Sequence, residues 1–126
     1  MKNEPRQNLA KVLNRLVKEG AIQGAEIIQR DGQCVLEVYR PDLDLSAFSR
    51  LSATLTAAGE SALPEFRATR AREVLTEADG MRVAVVPASD QFLLAALANS
   101  DGSESDLVAA LRDAARDIGR LSGSAA

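Results

Sequence analysis

Two Asp-Gly dipeptides, Asp31-Gly32 and Asp79-Gly80, each separate a pair of short β-rich runs, and nothing else in the chain constrains its fold as strongly. Glycine reaches positive φ without a Cβ penalty and aspartate tolerates it, so either dipeptide suits a tight hairpin turn. Gly24 to Arg30 and Gln33 to Tyr39 flank the first turn; Arg72 to Ala78 and Met81 to Val86 flank the second. Two antiparallel hairpins are expected. A fifth run, Phe92 to Ala98, is apolar at consecutive positions, the pattern of a strand covered on both faces, and belongs in the middle of the sheet.

Helical periodicity fills the remainder. Leu9, Val12, Leu13, Leu16 and Val17 recur at helical spacing within Asn8 to Glu19, with Lys11, Arg15 and Lys18 opposite and Gly20 as the stop. Between Ser46 and Ala62, the stripe Phe48, Leu51, Leu55, Ala58 and Ala62 is the expected buried face of a second helix, which Pro64 terminates. After a loop rich in Gly, Ser and Asp, Ser105 is the expected cap of a last helix, which buries Leu107, Val108, Leu111, Ala115 and Ile118 and ends near Leu121. The order is α-β-β-α-β-β-β-α. No linker or internal repeat divides residues 1–126, which read as one domain with a core over about residues 9–121 and a frayed tail at 122–126.

Composition narrows the function. The net charge of −3 creates no field that would draw in nucleic acid or an anionic membrane. Cys34 is the one cysteine, which fits a reducing, cytoplasmic setting; Met1 to Lys11 is polar, unlike a secretory signal, and no apolar run is long enough for membrane insertion. With no His in the chain, the commonest general base is missing, and one Cys without His is a poor zinc set. No phosphate-cradling glycine loop and no nucleophile elbow occurs. The carboxylates Asp42 and Asp44, or Asp101, Glu104 and Asp106, lie in Ser- and Gly-containing loops where water keeps them ionised, so they read as solvated acids or helix caps. The expectation is a protein without catalytic residues, cofactor or metal, acting on other protein chains.

The element order, with Gly24-Ala25 opening a strand, Asp31-Gly32 at the first turn and Pro87-Ala-Ser-Asp90 before Phe92-Leu93-Leu94, resembles the roadblock/dynein light chain domain family over about Leu9 to Leu121. That resemblance implies an α+β fold of roadblock/profilin-like form: a five-stranded antiparallel sheet, the first and last helices on one face and the middle helix on the other. It also implies homodimers or heterodimers in which two middle helices pair and two third strands join into one sheet. Members of the family serve as dynein light chains, as scaffolds for small GTPases and as bacterial GTPase-activating partners of Ras-like polarity GTPases; the Ala- and Arg-rich, Lys-poor composition has a bacterial look. No shared catalytic residue carries over.

Particular residues follow from this. Ser49, Ala53, Thr56, Ala57 and Glu60 form a nearly all-small face of the middle helix, read as an outward surface that lets another helix approach closely, rather than an exposed face chosen for helix propensity. The strand containing Arg72, Val74 and Thr76 has no Pro or Lys to blunt its edge and is read as a second part of that interface; the competing reading is a short strand protected by Arg72, Glu73 and Glu77. Arg67 and Arg70 are candidate GTPase contacts. Arg112, Arg116 and Arg120 interleave with Asp113 and Asp117 and form a solvated, salt-bridged face. Cys34, alternating with Leu36 and Val38, is expected to point into the core as a small hydrophobe. The function so implied is a homodimer that binds a Ras-like GTPase and stimulates its GTP hydrolysis, the alternative being an adaptor that joins larger proteins without affecting nucleotide state.

Overall fold

A computed structural model describes residues 3–18, 22–40, 48–61, 73–78, 80–100 and 102–125. Its elements follow the expected order: α1 (Asn3–Lys18), β1 (Ile22–Gln29), β2 (Cys34–Tyr39), α2 (Phe48–Ser61), β3 (Val74–Ala78), β4 (Met81–Pro87), β5 (Phe92–Asn99) and α3 (Glu104–Ala125). The strands form one antiparallel sheet in the order β2-β1-β5-β4-β3. β5 is central, as its unbroken apolar run requires, and β2 and β3 are the edges.

Both hairpin turns use glycine for its conformational freedom. Gly32 sits at φ 98° and Gly80 at φ 79°, values that other residues rarely adopt. At the first turn the Gly32 N–H donates to the Gln29 carbonyl at 2.9 Å, and the Gln33 N–H donates to Asp31 Oδ1 at 2.9 Å. Aspartate thus closes the turn with its own side chain.

Helices α1 and α3 cover one face of the sheet. Val12, Leu13 and Leu16 of α1 meet Leu111, Ala115 and Ile118 of α3 over Ala25 and Ile27 of β1 and Leu94 and Ala96 of β5. Each fully buried Leu or Ile contributes about 2 kcal/mol of transfer free energy, so this layer dominates the fold. Gly119 sets how closely α3 approaches: a Cβ there would lie 2.3 Å from the Ala88 carbonyl oxygen at the β4–β5 turn.

The ends of α3 differ from expectation. Ser103, rather than Ser105, is the cap: its Oγ accepts from the Asp106 N–H at 3.2 Å and its carbonyl from the Leu107 N–H at 3.1 Å. Several Ser and Asp residues in a row leave the cap position open in sequence, and the backbone path selects one. At the other end α3 runs on to Ala125.

The larger correction concerns α2. Phe48, Ser52, Ala53 and Thr56 are its buried residues, whereas Leu51 is 60% exposed, Leu55 is half-buried and Ala58 is exposed. The expected stripe Phe48, Leu51, Leu55, Ala58 therefore does not face the sheet beyond Phe48; Ala62 lies outside the described residues. Apolar periodicity places leucines inward by default, but here the sheet beneath the helix carries a buried carboxylate, Glu26, which Ser49 of α2 hydrogen-bonds. A buried polar group needs its partner, and small side chains let the helix lie close enough to supply one.

Candidate functional site

Two features of the α2 side of the sheet could do more than hold the fold. The first is a surface formed by the outer face of α2 and the β3 edge. Leu51 is the most exposed large apolar side chain among the described residues, with Leu55 and Ala58 on the same side of the helix. The end of α2 reaches β3: a Cβ on Gly59 would touch Val74 Cγ2 at 3.4 Å. Among the described residues β3 pairs with β4 alone, Val74 opposite Val85 and Thr76 opposite Val83, which leaves one row of its backbone groups without a strand partner there. An apolar helix stripe and an open sheet edge are thus adjacent.

The expected interface residues distribute unevenly over this surface. Ala53 (7% exposed) and Thr56 (3% exposed) are packed within the chain and are not part of an outward face; Thr56 Oγ1 donates to the Ser52 carbonyl at 3.0 Å. Ser49 is half-buried and turned to Glu26. Glu60 pairs with Arg30 at 2.8 Å, and Arg30 Nε donates to the Asp90 carbonyl at 2.9 Å, so the end of α2 is tied to the turns below it. Ala57 is exposed, Val74 is half-buried and Thr76 is exposed at the edge. Arg67, Arg70 and Arg72, with Asp42, Asp44 and Asp101, lie outside the described residues. Glu104 and Asp106 are exposed in the first turn of α3, where carboxylates suit the helix dipole. Arg116 pairs with Asp113 at 3.5 Å and Arg120 with Asp117, as their spacing implies, but Arg112 reaches Glu73 beside β3 instead.

The second feature is a cluster of acidic and sulfur groups between β1 and β2. Glu26 is fully buried in β1, opposite Glu37 of β2 on one side and Ala95 of β5 on the other. Ser49 Oγ donates to its Oε2, while its Oε1 is buried with no hydrogen-bond partner among the described residues. Cys34 Sγ donates to Glu37 Oε2 at 3.6 Å, and the Tyr39 hydroxyl donates to the same oxygen at 2.9 Å. Burial pushes the Glu26 carboxyl up to about 7; the Ser49 bond opposes this and the neighbouring Glu37 charge adds to it. Burial also raises the Cys34 thiol, assisted by both carboxylates.

A register shift at Ile27/Ile28 explains why Cys34 is here. Ile27 pairs with Leu36 but Ile28 pairs with Cys34, so Val35 is an extra residue and the alternation reverses across it. Leu36 and Val38 keep to the α1/α3 core, while Cys34 turns to the α2 side. Strict alternation would have placed all three together. Glu26 was missed as well, although one acid inside the apolar run Gly24–Ile28 is an available signal.

Residues 9–98 match the model of the roadblock/LC7 domain. The chain belongs to this family. Its fold agrees with that of solved members. An MglB with a tetrameric arrangement superposes with a TM-score of 0.88 at 20% identity, covering 98% of this chain and 93% of that one. The gliding protein MglB of Thermus thermophilus gives 0.86 at 19% identity over 96% and 93%. A roadblock/LC7 domain of Streptomyces avermitilis gives 0.82 at 19% over 90% and 96%. No curated protein matches by sequence. At these identities the likeness is one of fold. No described helix is long and apolar enough to cross a membrane.

Proposed function

We propose that this roadblock/LC7 chain is a non-enzymatic, cytoplasmic homodimer that binds a Ras-like small GTPase and promotes its GTP hydrolysis by positioning the GTPase's own groups. The observation that carries the reading is the adjacency of the exposed Leu51 stripe and the open β3 edge. A second copy would cover both at once, helix on helix and strand beside strand, through a two-fold axis. Leu51, Leu55 and Ala58 on the helix, flanked by the exposed Ala57, with Val74 and Thr76 on the edge, are the residues assigned to that contact; Ala53 and Thr56 are not. The likeness to an MglB with a tetrameric arrangement supports self-assembly, and family membership supports a small-GTPase partner.

A rigid dimeric surface acts on such a partner by differential affinity. The γ-phosphate orders GTPase switch loops, so a protein that binds the ordered form shifts their population and holds catalytic groups in place. Arg67 and Arg70 remain the proposed contacts. The test has two parts. Sedimentation should give twice the 13.4 kDa chain mass, and Leu51→Glu should weaken self-association by about tenfold or more, because it buries an unpaired charge in the helix pair while leaving the fold intact. A Ras-like GTPase from the same organism should bind more tightly in its GTP form. A monomer at high micromolar concentration defeats the dimer; equal affinity for both nucleotide states reduces the protein to an adaptor.

A further inference from the structure

We propose that Glu26, Cys34 and Glu37 form a binding site for a divalent metal ion of borderline softness, zinc being the archetype. One ligand atom from each, two carboxylate oxygens and the sulfur, lie within 4.8 Å of one another. Three potential anions converge here without a cationic side chain among the described hydrogen bonds of the cluster. Such a grouping is unfavourable unless protons or a cation neutralise it.

Three details favour an ion. Glu26 is fully buried, with Oε2 held by Ser49 and Oε1 unpartnered among the described residues, so one oxygen is fixed and the other is left for a ligand. A buried carboxylate oxygen without a partner costs stability that coordination would recover. Secondly, the Cys34 Sγ to Glu37 Oε2 separation of 3.6 Å is close to the roughly 3.5 Å between sulfur and oxygen ligands on one tetrahedral zinc, from bond lengths near 2.3 and 2.0 Å. Thirdly, Tyr39 donates to Glu37 and Ser49 to Glu26, the outer hydrogen bonds that orient ligating carboxylates.

One Cys and no His argue against a thiolate- or imidazole-rich site, but two carboxylates beside one thiolate supply three of the four positions zinc takes, with water as the fourth. Coordination displaces the protons of the Cys34 thiol and of the Glu26 carboxyl to bulk water. Thiolate and carboxylate together disfavour magnesium and calcium, which prefer oxygen alone. The cluster lies between β1 and β2, at the opposite end of the sheet from the β3 edge, so it is independent of the dimer contact.

Cobalt(II) is the probe, because its bond to a thiolate produces a charge-transfer band in the near ultraviolet. Titration of the full, chelator-stripped chain with CoCl2 should give that band saturably at one ion per chain, and ZnCl2 should abolish it by displacement. Cys34→Ser should remove the band, and Glu26→Gln and Glu37→Gln should each weaken uptake by about tenfold or more. Glu37 is exposed, so its variant retains the fold and decides the matter even if Glu26→Gln does not. Absence of a saturable band, or uptake unchanged in all three variants, overturns the site.

Discussion

The two faces of the sheet are built on different principles. Under α1 and α3 the contacts are almost wholly apolar: leucines, isoleucines, valines and alanines from both helices and the strands pack around Leu13, Leu111 and Ile118, all fully buried, and the buried charge on this face, Arg82 of β4, donates to the Gly102 carbonyl at 2.9 Å. Under α2 the apolar cluster is smaller, with Ile28, Phe48, Ala53, Val85, Leu93 and Ala95 as its buried members, and it sits beside Glu26, Ser52 and Thr56. The first face turns its hydrophobic residues inward. The second buries hydroxyls and a carboxylate while Leu51 faces out. One face therefore carries most of the apolar packing, and the other sets a buried carboxylate and hydroxyls beneath a helix whose apolar stripe is exposed.

Truncation in the apolar layer should have the largest effect. Leu111→Ala, at a position with no exposure, should cost about 4 kcal/mol in urea unfolding, the sum of lost transfer energy and a cavity that α1 and the sheet cannot collapse to fill. A cost below about 1 kcal/mol would erase the distinction between the faces.

The polar face should reveal itself through pH. Glu26 holds its proton up to about 7 in the folded chain, whereas the unfolded chain releases it near 4.5. The folded state thus binds more protons between these values, so stability falls as pH rises through that window and stays reduced above it. The loss should be about 3 kcal/mol, at roughly 1.4 kcal/mol for each pH unit between the two values. Ser49 of α2 and Cys34 and Glu37 of β2 face the same carboxyl, so the comparison is made against Glu26→Gln in metal-free buffer. Unfolding curves from about pH 4.5 to 8 should flatten in that variant; an unchanged slope would assign the effect to other groups.

Surface pairs on α3 should matter least. Arg116 and Asp113 are each 75% exposed at 3.5 Å, and Arg116→Ala should shift stability by less than about 0.5 kcal/mol. A larger change would mean that this face does more than solvate the helix.

The order of elements, both glycine turns, the central position of β5, the buried stripe of α1 and that of α3 apart from Val108, which is half-buried while Ala114 is buried, were legible in the sequence, because each depends on local periodicity or on a residue with an unusual backbone preference. The cap of α3 was legible only as a choice between adjacent serines. Three facts needed the tertiary structure. Which side of α2 faces the sheet depended on Glu26, which lies 23 residues before Ser49 and outside any helical pattern. The face taken by Cys34 depended on the extra residue Val35, since one inserted position reverses every side chain beyond it. The meeting of Glu26, Cys34 and Glu37 depended on both, on register across β1 and β2 and on a helix laid above them. Periodicity determines which residues share a face of one element; only packing between elements determines what that face meets.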